Sequence, residues 1–310
     1  MTTQAPQATH IHADTNLISR FLSKYERPNT VRIYRYHLSR FFGVESVTMK
    51  EAAAITTEYV NRQIEKAENV LAPATVEGFV TSIIIFFDWL CAIDVIRKNP
   101  ANKHLIRRWK KGGRAQRKIF ALSKEESQRL LDATLVSPFH DRCNTAKRNH
   151  AIVLTLLNCL LRRSEMGAMN VEHIRSLDGH WVIDLPETKG GADQFVKVPA
   201  HVIKEIQEMQ TFYGIESGPL WRSMEGRTKG KRLCTRQICN IIKKAAKRAG
   251  LPPEISTHTL RHTGCTLALE AGATLHQVQI HARHKNINTT LRYIHQRDKL
   301  NNSAADFIGI

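Results

Sequence analysis

Residues 107–126 read RRWKKGGRAQRKIFALSKEE, and this stretch divides the chain in two. Its first part, Arg107 to Lys118, sets a glycine pair among repeated cations with almost no apolar content, the composition of a linker. Its second part ends in Ser123-Lys124-Glu125-Glu126, where a serine three residues ahead of a glutamate reads as a capping box that opens a helix. A second domain is therefore expected from about residue 119, and 310 residues suit two domains.

Upstream of the linker, residues 1–13 read as a disordered lead-in and 14–106 as a helical domain. Asn29 and Thr30 are expected to cap a helix that carries Ile33, Tyr34, Leu38, Phe41 and Phe42 on one stripe, with Arg32, Arg35 and Arg40 elsewhere and Gly43 at its end. A shorter helix is expected over about 50–66. Pro73 suits a first helical turn, and the run Thr75 to Cys91 is apolar nearly all round, so it reads as the central helix of a small all-α bundle that Asn99-Pro100 closes.

Downstream, over 119–297, the elements mix. Ala151 to Leu161 and Val202 to Tyr213 read as helices, and Arg236 to Arg248 as a helix with Ile238, Ile241, Ile242 and Ala245 on its core side. Trp181 to Leu185 and Phe195 to Val198 read as strands, joined at Lys189-Gly190-Gly191 into a hairpin. Residues 298–310 form a tail with an apolar end at Phe307, Ile308 and Ile310, which either packs on its own domain or docks on a neighbouring subunit.

The charge balance narrows the function. Forty-six Lys and Arg stand against 28 Asp and Glu, a net +18. An excess of that size favours a polyanion, because cations that neutralise phosphates release condensed counterions. The linker reads as a strap on phosphates, through Arg107, Arg108, Lys110, Lys111, Arg114, Arg117 and Lys118. Arg32 and Arg35 in the first domain, with Arg236, Lys243 and Lys244 in the second, are further candidate DNA contacts. The six cysteines form no C-x-x-C pair and no zinc-like spacing, and Cys91, Cys159 and Cys265 lie in apolar runs, so core thiols in a reducing cytoplasm are expected rather than a disulfide. The polar N-terminus lacks the apolar region of a signal peptide, and no uninterrupted apolar run suggests a membrane span.

Several groups point to phosphate chemistry when taken together. Arg162 lies in Leu161-Arg162-Arg163-Ser164-Glu165, and His258 and Arg261 share a helical face in His258-Thr259-Leu260-Arg261-His262. His284 precedes Tyr293 by nine residues. Two guanidiniums could fork onto the non-bridging oxygens of a phosphodiester and stabilise charge in its transition state. A tyrosine hydroxyl could form a covalent ester. Histidines that titrate near neutrality could move protons, and Lys189 at a hairpin tip could reach a leaving oxygen, a placement that favours it over Lys197 inside a strand. His262 reads as a packing or supporting residue, His281 and His295 lie close without an assigned part, and Trp89 and Trp181 read as core.

These four pieces, in this order, resemble the tyrosine recombinase (phage integrase) family, and the likeness covers the whole second domain. It implies a mainly α protein with a small antiparallel β-sheet in the C-terminal domain. Its architecture would be a two-domain clamp around DNA, a helical N-terminal core-binding domain plus an α+β catalytic domain. It also implies Tyr293 as the nucleophile of a 3′-phosphotyrosyl link, Arg162 and Arg261 as clamps on the scissile phosphate, and Lys189 as general acid for the 5′ leaving group. His258 would assist proton transfer, His284 would help hold the phosphate, and Glu165 would buttress Arg162. No metal or nucleotide cofactor is implied. The expected partner is double-stranded DNA with paired inverted half-sites, bound by a dimer per site and a tetramer in synapsis, in a bacterial or mobile-element cytoplasm and not at a membrane. The sequence departs from the family pattern at Leu160, where the family usually has glycine, at Arg163, and at Ala282-Arg283, where it usually has Leu-Gly. Arg163 stays an alternative to Arg162 as the clamp, although Arg-x-Ser-Glu is the usual spacing. A site-specific recombinase is the expected activity; the alternatives are a catalytically silent architectural DNA-binding protein and a type IB topoisomerase-like nicking-closing enzyme.

Overall fold

The computed structural model of the chain describes residues 16–109, 120–136, 145–185 and 194–291, and contacts divide the chain into two units, Met1–Arg117 and Lys118–Ile310. The lead-in 1–13, most of the linker and the tail 298–310 lie outside the described residues.

Among the described residues the regular structure of the first unit is all helix: α1 (Leu17–Leu22), α2 (Pro28–Phe42), α3 (Met49–Ala53), α4 (Thr57–Val70) and α5 (Pro73–Ala92). Pro28, not Asn29 or Thr30, opens α2, with Arg27 at the cap position and no side-chain cap bond. Proline at the first position has no N–H to satisfy and a φ already helical, so less is asked of a cap. Gly43 ends α2 in the left-handed conformation at φ 76°, as its position in the sequence suggests. His37, rather than Ile33, lies on the buried stripe; Ile33 faces out. The single helix expected over about 50–66 is two, because Thr48 and Thr56 each cap a new start. Pro73 stands at the first turn of α5, whose Phe79, Val80, Ile83, Phe86, Phe87 and Leu90 fill the centre of the unit. By length and composition α5 could cross a membrane, but half of that apolar window is buried inside the unit. Residues past Pro100 still belong here. Ile106 and Trp109 pack on this core, Arg107 N–H donates to Asn61 Oδ1 at 2.8 Å, and its guanidinium pairs with Glu68 at 3.2 Å.

The second unit holds α6 (Lys124–Leu135), α7 (Ala146–Cys159), α8 (Arg163–Ala168), β1 (Ile174–Leu177), β2 (His180–Leu185), β3 (Gln194–Lys197), α9 (Ala200–Tyr213), α10 (Thr235–Arg248), α11 (Thr257–Glu270), α12 (Leu275–Ala282) and α13 (Ile287–Leu291). The Ser123 capping box is formed on both sides, Glu126 N–H to Ser123 Oγ at 3.1 Å and Ser123 N–H to Glu126 Oε2 at 2.9 Å. The strands make one antiparallel sheet in the order β1-β2-β3, with Ile183 opposite Ile174 on one side and Val196 on the other. The strand β1 joins the expected hairpin strands, and the tip of that hairpin, Lys189 included, lies outside the described residues. The fold is thus mainly helical with a small antiparallel sheet in the second unit. Its core gathers Ile152, Leu156, Ile183, Trp221, Ile242 and Leu260, while Leu160, Cys265, Val278 and Ala282 form a separate small cluster. Cys159 and Cys265 are buried free thiols, but Cys91 is only half-buried. Trp89 is buried; Trp181, expected in the core, is 38% exposed.

Candidate active site

The site is built where α7 ends and α12 ends, because the chain turns there in the same way. Leu160 follows α7 with φ 49° and Arg283 follows α12 with φ 55°, both left-handed. A residue with a Cβ pays about 1–2 kcal/mol for that conformation, so the surroundings must hold it. Gly264 on α11 lets α11 lie against the end of α7: a Cβ there would overlap the Leu157 carbonyl oxygen and Leu160 Cδ2. The Leu160 and Ala282 side chains then meet with Cys265 and Val278 in the small cluster.

These turns point backbone carbonyls at two arginines. Arg261, the fifth residue of α11 and 5% exposed, donates through Nη1 to the Leu160 carbonyl and through Nη2 to the Ala282 carbonyl. Arg162, immediately before α8, donates through Nη2 to the Arg283 carbonyl at 2.8 Å and through Nη1 to Glu165 Oε1 at 2.6 Å. Its side chain is 40% exposed. A guanidinium has five N–H donors, so these bonds fix the planes of both groups and leave others for a ligand. Arg163, by contrast, is exposed at the start of α8 with no comparable anchor among the described residues, and it adds positive charge beside His258. A third guanidinium, marked in the sequence only as a departure from the family pattern, lies beneath. Arg283 is 6% exposed at its side chain and pairs with Glu165 Oε2 at 2.8 Å.

The electrostatics follow from this crowding. Burial pushes the Arg261 guanidinium down to about 10, helped by Arg162 and Arg283. Burial pushes Glu165 up, but Arg283 and the bonds from Arg162 outweigh it, and the carboxyl stays below its usual range. His284, which follows the left-handed Arg283, is pushed down to about 4 by burial and then by Arg261 and Arg162. Its Nδ1 lies 2.9 Å from the hydroxyl of Thr290, a fully buried side chain on α13. His258, at the surface near the start of α11, is also lowered, by burial and then by Arg163 and Arg261. Both imidazoles are therefore neutral at physiological pH. His281 donates from Nε2 to the Asn158 carbonyl at 2.8 Å and ties α12 to α7.

Of the residues expected from sequence, the structure thus brings Arg162, Glu165, Arg261 and His284 together, with His258 close enough to feel Arg261. Lys189, Tyr293 and His295 lie outside the described residues, and Lys197 is exposed at the end of β3. Among the candidate DNA contacts, Arg32, Arg35, Arg108, Arg236, Lys243 and Lys244 are exposed, Arg107 is engaged with Glu65 and Glu68, and Lys110, Lys111, Arg114, Arg117 and Lys118 fall outside the described residues.

A model of the phage integrase family matches residues 121–299. The chain is 26% identical to the tyrosine recombinase XerC of Thermodesulfovibrio yellowstonii over 292 residues, 91% of this chain and 90% of that one. It is 25% identical to XerC of Escherichia coli O127:H6 over 299 residues, 93% of each. Among solved structures, the XerH site-specific recombinase bound to palindromic difH substrate shares the fold with a TM-score of 0.69 at 17% identity, covering 94% of this chain and 83% of that one. A lambda integrase dimer bound to a COC′ core site does so with a TM-score of 0.66 at 15% identity, covering 91% and 77%.

Proposed function

Because the chain belongs to the phage integrase family, and so to the tyrosine recombinases, we propose that it cleaves and rejoins DNA through a 3′-phosphotyrosyl link formed by Tyr293. The observation that carries this reading is the convergence of Arg162 and Arg261 on the carbonyls of residues 160, 282 and 283, with two neutral histidines beside them. The Tyr293 oxygen attacks phosphorus, and the bond from phosphorus to the 5′ oxygen breaks. His258, held unprotonated, accepts the phenol proton. Lys189 delivers a proton to the leaving 5′ oxygen. Arg162 and Arg261 offer their remaining N–H groups to the non-bridging oxygens, where a dry, preorganised donor is worth most. With the Thr290 hydroxyl donating to Nδ1, His284 presents Nε2–H to the same phosphate. Rejoining runs these steps backwards with a 5′ hydroxyl as nucleophile. The phosphotyrosine conserves the bond energy, so no nucleotide is consumed.

Arg162, and not Arg163, is the clamp in this reading, because only Arg162 is oriented by Glu165 and the Arg283 carbonyl. The helical unit over 14–106, with Arg32 and Arg35, and the cationic stretch 107–118 bind duplex DNA along with the catalytic domain at 119–297. The relatives are named as site-specific recombinases and integrases, and two solved ones are bound to DNA substrates. From this we take the substrate to be a duplex with inverted half-sites, one dimer per site and four protomers in synapsis, in the cytoplasm. The test is a denaturing gel after incubation with duplex DNA carrying a site recovered by selection. Wild-type protein should run as a covalent adduct, and Tyr293→Phe should keep the band shift and lose the adduct. An adduct formed by Tyr293→Phe would overturn the assignment.

A further inference from the structure

Arg283 stands where the chain turns left-handed, at φ 55°, and yet carries a long charged side chain. That side chain is 6% exposed, against 40% for Arg162. Its contacts run inward. Nη1 donates to the His281 carbonyl at 2.8 Å, and Nη2 donates both to the Leu160 carbonyl at 3.1 Å and to Glu165 Oε2 at 2.8 Å.

The consequence lies at Glu165. A free carboxylate facing an arginine takes its fork with both oxygens, which ties up two of the five donors and draws the guanidinium onto the acid. Here Oε2 is already filled by Arg283 Nη2 and by the Arg162 backbone N–H at 2.7 Å, so the Arg162 side chain reaches only Oε1. The second Nη of Arg162 turns instead to the Arg283 carbonyl. The same Arg283 guanidinium shares the Leu160 carbonyl with Arg261. One buried cation thus touches the supports of both Arg162 and Arg261.

We infer that Arg283 is a positioning residue: by occupying Glu165 Oε2 it holds Arg162 end-on and keeps the Arg162 fork available to the scissile phosphate. The inference rests on the recombinase reading above. It needs no contact between Arg283 and DNA, and so it separates cleavage from binding.

Arg283→Gly tests it, because glycine accepts φ 55° without strain and only the side chain is lost. Full-length variants are assayed on a nicked suicide duplex built on the site that wild-type protein selects from a random-duplex pool. Single-turnover adduct formation by Arg283→Gly is expected to fall about 10-fold or more, with Kd for the duplex within about 3-fold of wild type. Arg283→Lys, which keeps a donor for Glu165 Oε2, should recover part of the rate. Glu165→Gln should cost less in the Arg283→Gly background than in wild type, since the two act through one contact. Wild-type cleavage by Arg283→Gly would overturn the inference. So would rate and affinity falling together with no recovery by lysine, the mark of a merely structural role, or losses at 165 and 283 that simply multiply. If wild-type protein itself formed no adduct, the recombinase reading would fall and this inference with it.

Discussion

Gly264→Ala puts the close approach of α11 and α7 to a direct test. A methyl at Gly264 overlaps the Leu157 carbonyl oxygen and Leu160 Cδ2 and lies 3.2 Å from the Leu157 carbonyl carbon. The obstacle is backbone, so no side-chain rotation relieves it, and α11 must retreat by about 1 Å to restore ordinary contact. Forcing a methyl into a packed core costs about 1–3 kcal/mol. The same retreat stretches the bond from Arg261 to the Leu160 carbonyl, and a hydrogen bond to a charged group is worth about 1.5–3 kcal/mol. A loss of about 3 kcal/mol or more follows. For a unit of this size about 3 °C accompanies each kcal/mol, so thermal unfolding of the second unit should fall by about 10 °C. Adduct formation should fall more steeply than binding, because Arg261 is displaced while the exposed cations stay. Differential scanning calorimetry and the denaturing gel read the two effects. The matched control is Gly78→Ala in α5, where the new methyl meets only His37 Cε1 at 3.4 Å and the gain in helix propensity, about 0.5–1 kcal/mol, should stabilise the first unit. A Gly264→Ala protein that melts within about 2 °C of wild type and cleaves at the same rate would refute the account of how the site is assembled.

Two further outcomes are expected. His284 is held at about 4 in the folded protein, and His37, His258 and His281 are also lowered, so below their ordinary value near 6.5 the unfolded chain binds the extra protons. Stability from these groups is full above pH 6.5 and drains as pH falls toward 4, and melting temperatures at pH 8, 6 and 4.5 should decline in that order; a flat or rising series would contradict the burial described. Replacing Lys243 and Lys244 on the exposed side of α10 by alanine should weaken binding to all duplexes alike and reduce the slope of log K against log salt by about 2, as measured by titration at several salt concentrations; an unchanged slope would remove α10 from the interface.

What the sequence determined by itself is mostly local. Pro73 marks a helix start because proline satisfies its own geometry there, and Ser123 with Glu126 closes a cap within four residues. Gly43 stops α2 because only its φ is left-handed without cost. The α10 pattern separates Ile238 and Ile242 from the cations at the helical repeat. The net +18 and the order of Arg162, Arg261, His284 and Tyr293 point to phosphate chemistry before any fold is known. Asp178-Gly179, both at positive φ between β1 and β2, was a legible two-residue turn signal for the strand that periodicity alone passes over. The tertiary structure decided the rest. The Arg-x-Ser-Glu spacing favours Arg162 over its neighbour Arg163 without excluding the latter; in the fold, of the two, Arg162 meets Glu165 and a carbonyl from 121 residues away. Arg261 is buried at 5% because backbone carbonyls at Leu160 and Ala282 take its charge, and carbonyls carry no signature in a sequence. Leu160 and Arg283 look like lapses from a glycine pattern in the chain. In the fold they are two left-handed turns brought together by Gly264 and a small apolar cluster, and their side chains fill that cluster and hold Glu165. Periodicity and capping report a residue's neighbours along the chain, whereas a buried charge is stabilised by whatever the packing brings across it.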